Sequence, residues 1–117
     1  MLVLLCWFLA GCSSTTFFYN RLDFLVPWYV DGYASLDNEQ EAYLDERLAP
    51  FLDWHRSSEL PCYVILLDAV ETTIDGEVTV EDIEALSVEF EQAWYRTQDE
   101  ALVWLLDLGE QLSDKQV

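Results

Sequence analysis

From residue 37 onwards the apolar positions recur every three to four residues, and that spacing predicts helices. Asp37-Asn38-Glu39-Gln40 has the form of a capping box, with Asp37 at the N-cap and Gln40 three residues on. Leu44, Leu48, Phe51, Leu52 and His55 then follow at helical spacing, which predicts a helix over 38–57. Pro50 lies inside that pattern and is expected to kink it or split it into 38–48 and 50–57. Leu60-Pro61 restarts the chain with Pro61 at a first helical position. Tyr63, Leu66, Leu67, Val70 and Ile74 form the next stripe, and Gly76 is placed to cap it.

Thr79 to Asp82 opens another helix in the same capping form, with Glu81 and Asp82 in its first turn. Ile83, Leu86, Phe90 and Trp94 continue it; Thr97-Gln98-Asp99 is its weak point; Leu102, Leu105, Leu106 and Leu112 carry the period on. Ser113-Asp114-Lys115-Gln116 reads as a fresh helix start, so the chain is expected to be truncated before a further helix. No segment alternates as a strand does. The expected fold is all-α and bundle-like.

The N-terminal third differs. Residues Leu2 to Leu9 are all apolar. Eight residues of helix reach about 12 Å, against the ~30 Å of a hydrocarbon core. The run therefore suits a secretory signal, although no Lys or Arg precedes Arg21. Leu9-Ala10-Gly11-Cys12 follows at once and has the form of a bacterial lipobox, with cleavage between Gly11 and Cys12 and acylation of the Cys12 thiol. The organisation this predicts is a signal over 1–11, a lipidated cysteine and polar tether over 12–17, and an incomplete helical domain over 18–117. Ser13 rather than Asp after the cysteine favours sorting to the bacterial outer membrane, facing the periplasm. Membrane attachment would then run through the N-terminal lipid. Of the three cysteines only Cys62 remains, and its apolar surroundings predict a buried, inert thiol.

Residues 17–34 are rich in aromatic residues. Pro27 and Gly32 are expected to interrupt them, giving a helix over 18–26 and a continuation or turn after Pro27. Phe17, Phe18, Tyr19, Phe24, Trp28, Tyr29 and Tyr33 would serve as core for the later helices, or as an interfacial belt beside the anchor, or as a partner groove.

Charge narrows the partners. The chain has 23 Asp and Glu against 5 Lys and Arg, a net charge of -18. A hydrophobic content of 52% separates it from acidic disordered chains. Its acidity disfavours nucleic acid, which requires a basic face, and favours a solvated surface or a basic protein partner.

Three sets of residues carry candidate chemistry. Residues 71–82 partly fit a calcium loop, with Glu71, Thr73, Asp75, Glu77 and Asp82 at ligand positions and Gly76 at the turn. A helix end followed by a Thr79 cap explains the same residues without metal. Asp23 and Asp31 flank Trp28 and would be the carboxylate pair of an envelope glycan hydrolase; the structural alternative has Asn20 and Asp23 bridging helix ends and Trp28 in the core. His55 is the only histidine, placed to pair with Glu59 one turn on. No catalytic motif accompanies these groups, so the leading expectation is a non-enzymatic envelope module without a cofactor, and calcium binding and glycan hydrolysis are the alternatives.

Tyr19, Asn20, Leu22, Asp23, Trp28, Asp31, Tyr33, Leu36 and Gln40, placed after Cys12, resemble the first signature of an uncharacterised group of proteobacterial lipoproteins, domain-of-unknown-function family 6279. Trp54-His55-Arg56 with Leu60-Pro61 and Tyr63 is similar to a second signature. The resemblance implies an all-helical, lipid-anchored protein, longer than this chain and richer in Arg. It implies no activity.

Overall fold

The computed structural model describes residues 14–117. The signal, the Gly11–Cys12 cleavage point and the Cys12 thiol lie outside the described residues. Among the described residues the only regular structure is helical. A helical turn over 14–19 is followed by α1 (Leu22–Ala34), α2 (Asn38–Trp54), a π turn (His55–Glu59), α3 (Leu60–Ile74) and α4 (Val80–Glu110). The expected tether is thus already helical from residue 14.

Two compact units result, one of residues up to Ala49 with Gln111–Val117, the other of Pro50–Glu110. In the first, Leu36, Leu44 and Leu48 are buried, Leu44 completely. The capping box that opens α2 forms as its sequence predicts. Asp37 Oδ1 accepts the amides of Glu39 and Gln40, each at 2.9 Å, and Gln40 Oε1 accepts the Asp37 amide at 3.0 Å.

The C-terminal box also forms. Gln116 Oε1 accepts the Ser113 amide and hydroxyl, both at 2.9 Å. Gln116 Nε2 donates to Gln40 Oε1 at 2.8 Å and to the Ser35 carbonyl at 3.1 Å. Gln40 Nε2 donates to the Gln111 carbonyl at 2.7 Å. The two box-closing glutamines therefore meet, which satisfies a Gln40 side chain that is almost wholly buried. The glutamine of this capping box thus also closes a tertiary clasp.

Prolines did not divide the helices. α1 runs through Pro27 and Gly32, and α2 through Pro50. Each proline lacks one amide, which frees the carbonyl four residues earlier, and both Asp23 and Glu46 are exposed, where water can take that bond. Gly32 has open space where a side chain would stand. The left-handed cap falls on Ser35 (φ 45°), not on a glycine; its amide reaches the Asp31 carbonyl at 2.9 Å, and Asp31 Oδ1 accepts the Leu36 amide at 3.0 Å. Gly76 has no positive φ, so α3 ends in an ordinary turn over Asp75 and Gly76.

In the second unit α3 packs along α4. α4 is unbroken at Thr97, where the hydroxyl turns back onto the Ala93 carbonyl at 3.1 Å. Its inward stripe is Ala93, Thr97, Ala101, Trp104 and Leu108, buried or half-buried at each step. The leucines at 102, 105 and 106 point outward. Small residues in the true stripe hid it from a reading that counted large apolar groups. Trp104 meets Phe51 edge-on at 5.8 Å, and its indole N–H is buried without an acceptor.

Thr79 caps α4 reciprocally: its amide and hydroxyl donate to Asp82 Oδ2 at 2.9 and 2.6 Å, and the Asp82 amide donates back at 3.2 Å. These bonds, the hydroxyl's first, hold the Asp82 carboxyl below its usual value of 3.8. A depressed carboxylate pKa makes the cap's contribution complete above about pH 3.8, and it is lost as pH falls through the folded value. In the Thr79→Val variant the Asp82 carboxyl, followed by NMR, should titrate at higher pH than in the parent; an unchanged titration would show that the hydroxyl does not hold it down.

Candidate interaction site

The side chains of the second sequence signature gather at the π turn. Pro61 has no amide, and its ring would crowd the Ser57 carbonyl in a continuous α-helix. The wider turn over His55–Glu59 gives that ring room, with the Leu60 amide reaching the His55 carbonyl. The Ser57 hydroxyl donates to the Asp53 carbonyl at 2.8 Å.

Glu59 emerges from this turn with only 3% of its surface exposed. Arg96 meets it as a fork, Nε to Oε1 at 2.9 Å and Nη2 to Oε2 at 3.1 Å. Those bonds raise the guanidinium pKa further above its ordinary value. Arg96 is the only cation between Arg56 and Lys115, and that isolation was the one trace of the pairing in the sequence. His55 feels the charge of Glu59, one turn on, as its spacing suggests. Its Nε2 lies 3.3 Å from the Tyr63 hydroxyl, which lies 3.1 Å from the Thr97 hydroxyl. Desolvation lowers the His55 pKa, and the nearby Glu59 charge partly opposes the shift. These polar bonds stitch the π turn and α3 to α4.

Apolar surface flanks the stitch on both sides. One groove of about 310 Å³ is lined by Cys62, Ile65, Leu66, Ala69, Glu89, Ala93 and Arg96. Another, of about 340 Å³, is lined by Tyr63, Leu66, Leu67, Phe90, Ala93 and Trp94. Only Leu66 and Ala93 of these are buried. Leu67 and Trp94 remain 60% and 64% exposed. Cys62 is exposed as well, which corrects the expectation of a buried thiol. From Ser57 to Tyr95 the chain has ten acidic residues and no Lys or Arg. Asp68, Glu71, Glu89 and Glu91 stand exposed on the same two helices as the grooves.

The other candidate residues are placed differently. Asp23 and Asp31 are exposed and eight residues apart on α1, about 12 Å along the helix axis, beyond the ~5–9.5 Å at which paired carboxylates work on a glycosidic bond. They form no catalytic pair: Asp23 stands in the first turn of α1, and Asp31 accepts the Leu36 amide beyond its end. Asn20 and Tyr19 lie in the turn before α1, where the Asn20 amide reaches the Thr16 carbonyl at 3.1 Å. Trp28 is 67% exposed, so it is not a core residue. Tyr29 and Tyr33 share a hydroxyl–hydroxyl bond at 3.4 Å, which raises the Tyr29 pKa.

The calcium alternative fails on geometry. Glu71 and Thr73 remain inside α3, and the Thr73 hydroxyl donates to the Ala69 carbonyl at 2.8 Å. Asp82 is taken up by Thr79, and Asp75 and Glu77 lie between the two helices. Among the described residues no group of three or more His, Cys, Asp or Glu side chains is placed to hold a metal ion.

Arg96→Met would leave the Glu59 carboxylate buried without its partner. Since Arg96 is itself half-exposed, the expected loss is that of charged hydrogen bonds, about 1.5–3 kcal/mol by urea unfolding. The double variant Glu59→Leu with Arg96→Met should recover most of that loss, because the buried charge has gone. A single variant as stable as the parent would show that Glu59 is accommodated without Arg96.

Neither a curated protein nor a solved structure matches this chain. The profile of one protein family does, over residues 32–117. That region contains Tyr33, Leu36 and Gln40 of the first signature and the whole of the second, His55, Pro61 and Tyr63 included. Since the match takes in 86 of 117 residues, the chain belongs to the family of unknown function DUF6279.

Proposed function

We propose that this protein is a lipid-anchored interaction module of the bacterial cell envelope, held by acyl chains on Cys12 at the outer membrane, facing the periplasm, and binding a basic amphipathic segment of a partner protein on its α3–α4 hairpin. One observation carries the binding reading: apolar side chains flank the hairpin seam on both sides among the ten acids of Ser57–Tyr95, and the one base lining them, Arg96, is bound to Glu59. A helix entering such a groove buries its apolar face there and presents Lys or Arg to the surrounding acids. A second copy is a poor occupant, since each carries a charge of -18. Anchoring is supported by the order of apolar run, Leu9-Ala10-Gly11-Cys12 and the polar residues after it. Among the described residues no helix is long and apolar enough to cross a membrane.

Two experiments test the two halves. Cells given labelled palmitate should mark the parent protein and leave Cys12→Ser unmarked; equal labelling of both would remove the anchor. For the groove, the probe is an 18-residue amphipathic Leu/Lys helix titrated against the full chain. Leu67→Asp and Trp94→Asp should each weaken its binding by about tenfold or more, and salt should weaken it further. Binding that is indifferent to both substitutions would be mere charge attraction and would overturn the groove as the site.

A further inference from the structure

The aromatic helix α1 belongs to the first unit, and the hairpin grooves to the second. Seven of the 20 residues from Ser14 to Tyr33 are aromatic, against eight of the 84 that follow. α1 buries none of its residues. Phe17, Phe18, Phe24, Trp28, Tyr29 and Tyr33 are all between 56% and 76% exposed. A further apolar groove, of about 320 Å³, opens beside them, lined by Leu22, Leu25, Val26, Trp28 and Tyr29.

Charge is distributed to match. Residues 14–33 contain only Arg21, Asp23 and Asp31, a net charge of -1, so the remaining described residues carry -17. The Arg21 guanidinium stands 5.4 Å from the centre of the Phe17 ring. A basic helix, the occupant suited to the hairpin, would find little here to pair with. Two copies meeting through α1 would bring two highly acidic bodies together. A zwitterionic bilayer surface demands neither opposite charge nor deep burial, and Trp and Tyr rings favour that boundary, with the ring in the acyl region and the polar edge in water.

We propose that α1 is an interfacial helix that lies on the bilayer surface through its aromatic side chains, beginning ten residues after the acylated Cys12. The 13 residues of α1 span about 20 Å, short of the ~30 Å hydrocarbon core, so it lies along the surface rather than across it. Pro27 fits the same position. It leaves the Asp23 carbonyl without a helical donor, which is costly in hydrocarbon and tolerable at a wet interface. The short tether from Cys12 keeps α1 at the surface. The inference rests on the anchoring part of the proposed function and not on the groove.

The test uses the mature acylated protein reconstituted in phosphatidylcholine vesicles. A nitroxide is attached at position 29 in Tyr29→Cys with Cys62→Ser, or at native Cys62. Both sites are exposed, and circular dichroism checks that the helices persist. The label at 29 should be relaxed more by oxygen than by a water-soluble nickel chelate, the label at Cys62 the reverse, and Phe24→Ser with Trp28→Ser should return the first label to water. A label at 29 as open to nickel as that at Cys62, in protein that floats with the vesicles, overturns this inference alone. Protein that does not float overturns it together with the anchor. Dipolar broadening between labels at 29 would assign the face to a second copy and overturn the bilayer.

Discussion

A buried carboxylate in a chain of charge -18 is the constraint on which the second unit depends. Glu59 can be indoors only because Arg96, 37 residues on, covers both of its oxygens. An uncompensated carboxylate there would cost about 1.5–3 kcal/mol or take up a proton. The fork therefore does more than hold two helices together. It selects the register of α4 against the π turn, since a guanidinium displaced by one helical position would no longer reach. The chain has five cations, and the only one between Arg56 and Lys115 is committed to this bond.

The π turn and the fork depend on each other. Pro61 favours a wider turn ahead of it, and that turn delivers Glu59 to Arg96 while leaving His55 facing Tyr63. Tyr63 then reaches Thr97, one turn beyond Ala93 and next to Arg96. The seam between α3 and α4 is thus unusually polar for a helix pair, with small residues where large ones would fill a core. Polar stitching leaves the leucines and aromatic rings of both helices on the flanks, and those flanks are the grooves. Stability and binding surface come from the same allocation of residues.

The first unit solves a different problem with the same economy. Gln40 is buried with both amide atoms satisfied, by the Asp37 amide, the Gln111 carbonyl and Gln116. Two capping boxes, each a local device, become a long-range clasp through their glutamines. No residue of α1 is fully buried, and its aromatic rings are exposed with almost none of the acidity found elsewhere. Acid and aromatic surface are segregated along the chain, so different surfaces suit different partners.

Much of this was legible from residue order. The all-helical character, the capping boxes at Asp37 and Thr79 and the inward Leu44 and Leu48 follow from local rules, in which a side chain bonds or packs within one turn of itself. Local rules also explain the errors. Pro27 and Pro50 look like breaks because a proline always loses a bond, but whether water can take that bond depends on exposure. Ser113–Gln116 has the form of a helix start, and no local rule says that its glutamine also closes a clasp on Gln40. Trp28 reads as core and Cys62 as buried because hydrophobicity does not say which apolar groups find cover. Glu59 with Arg96, Tyr63 with Thr97 and Gln40 with Gln116 were decided only by tertiary structure. Their partners lie between 34 and 76 residues apart, and no periodicity along the chain encodes a bond at that distance.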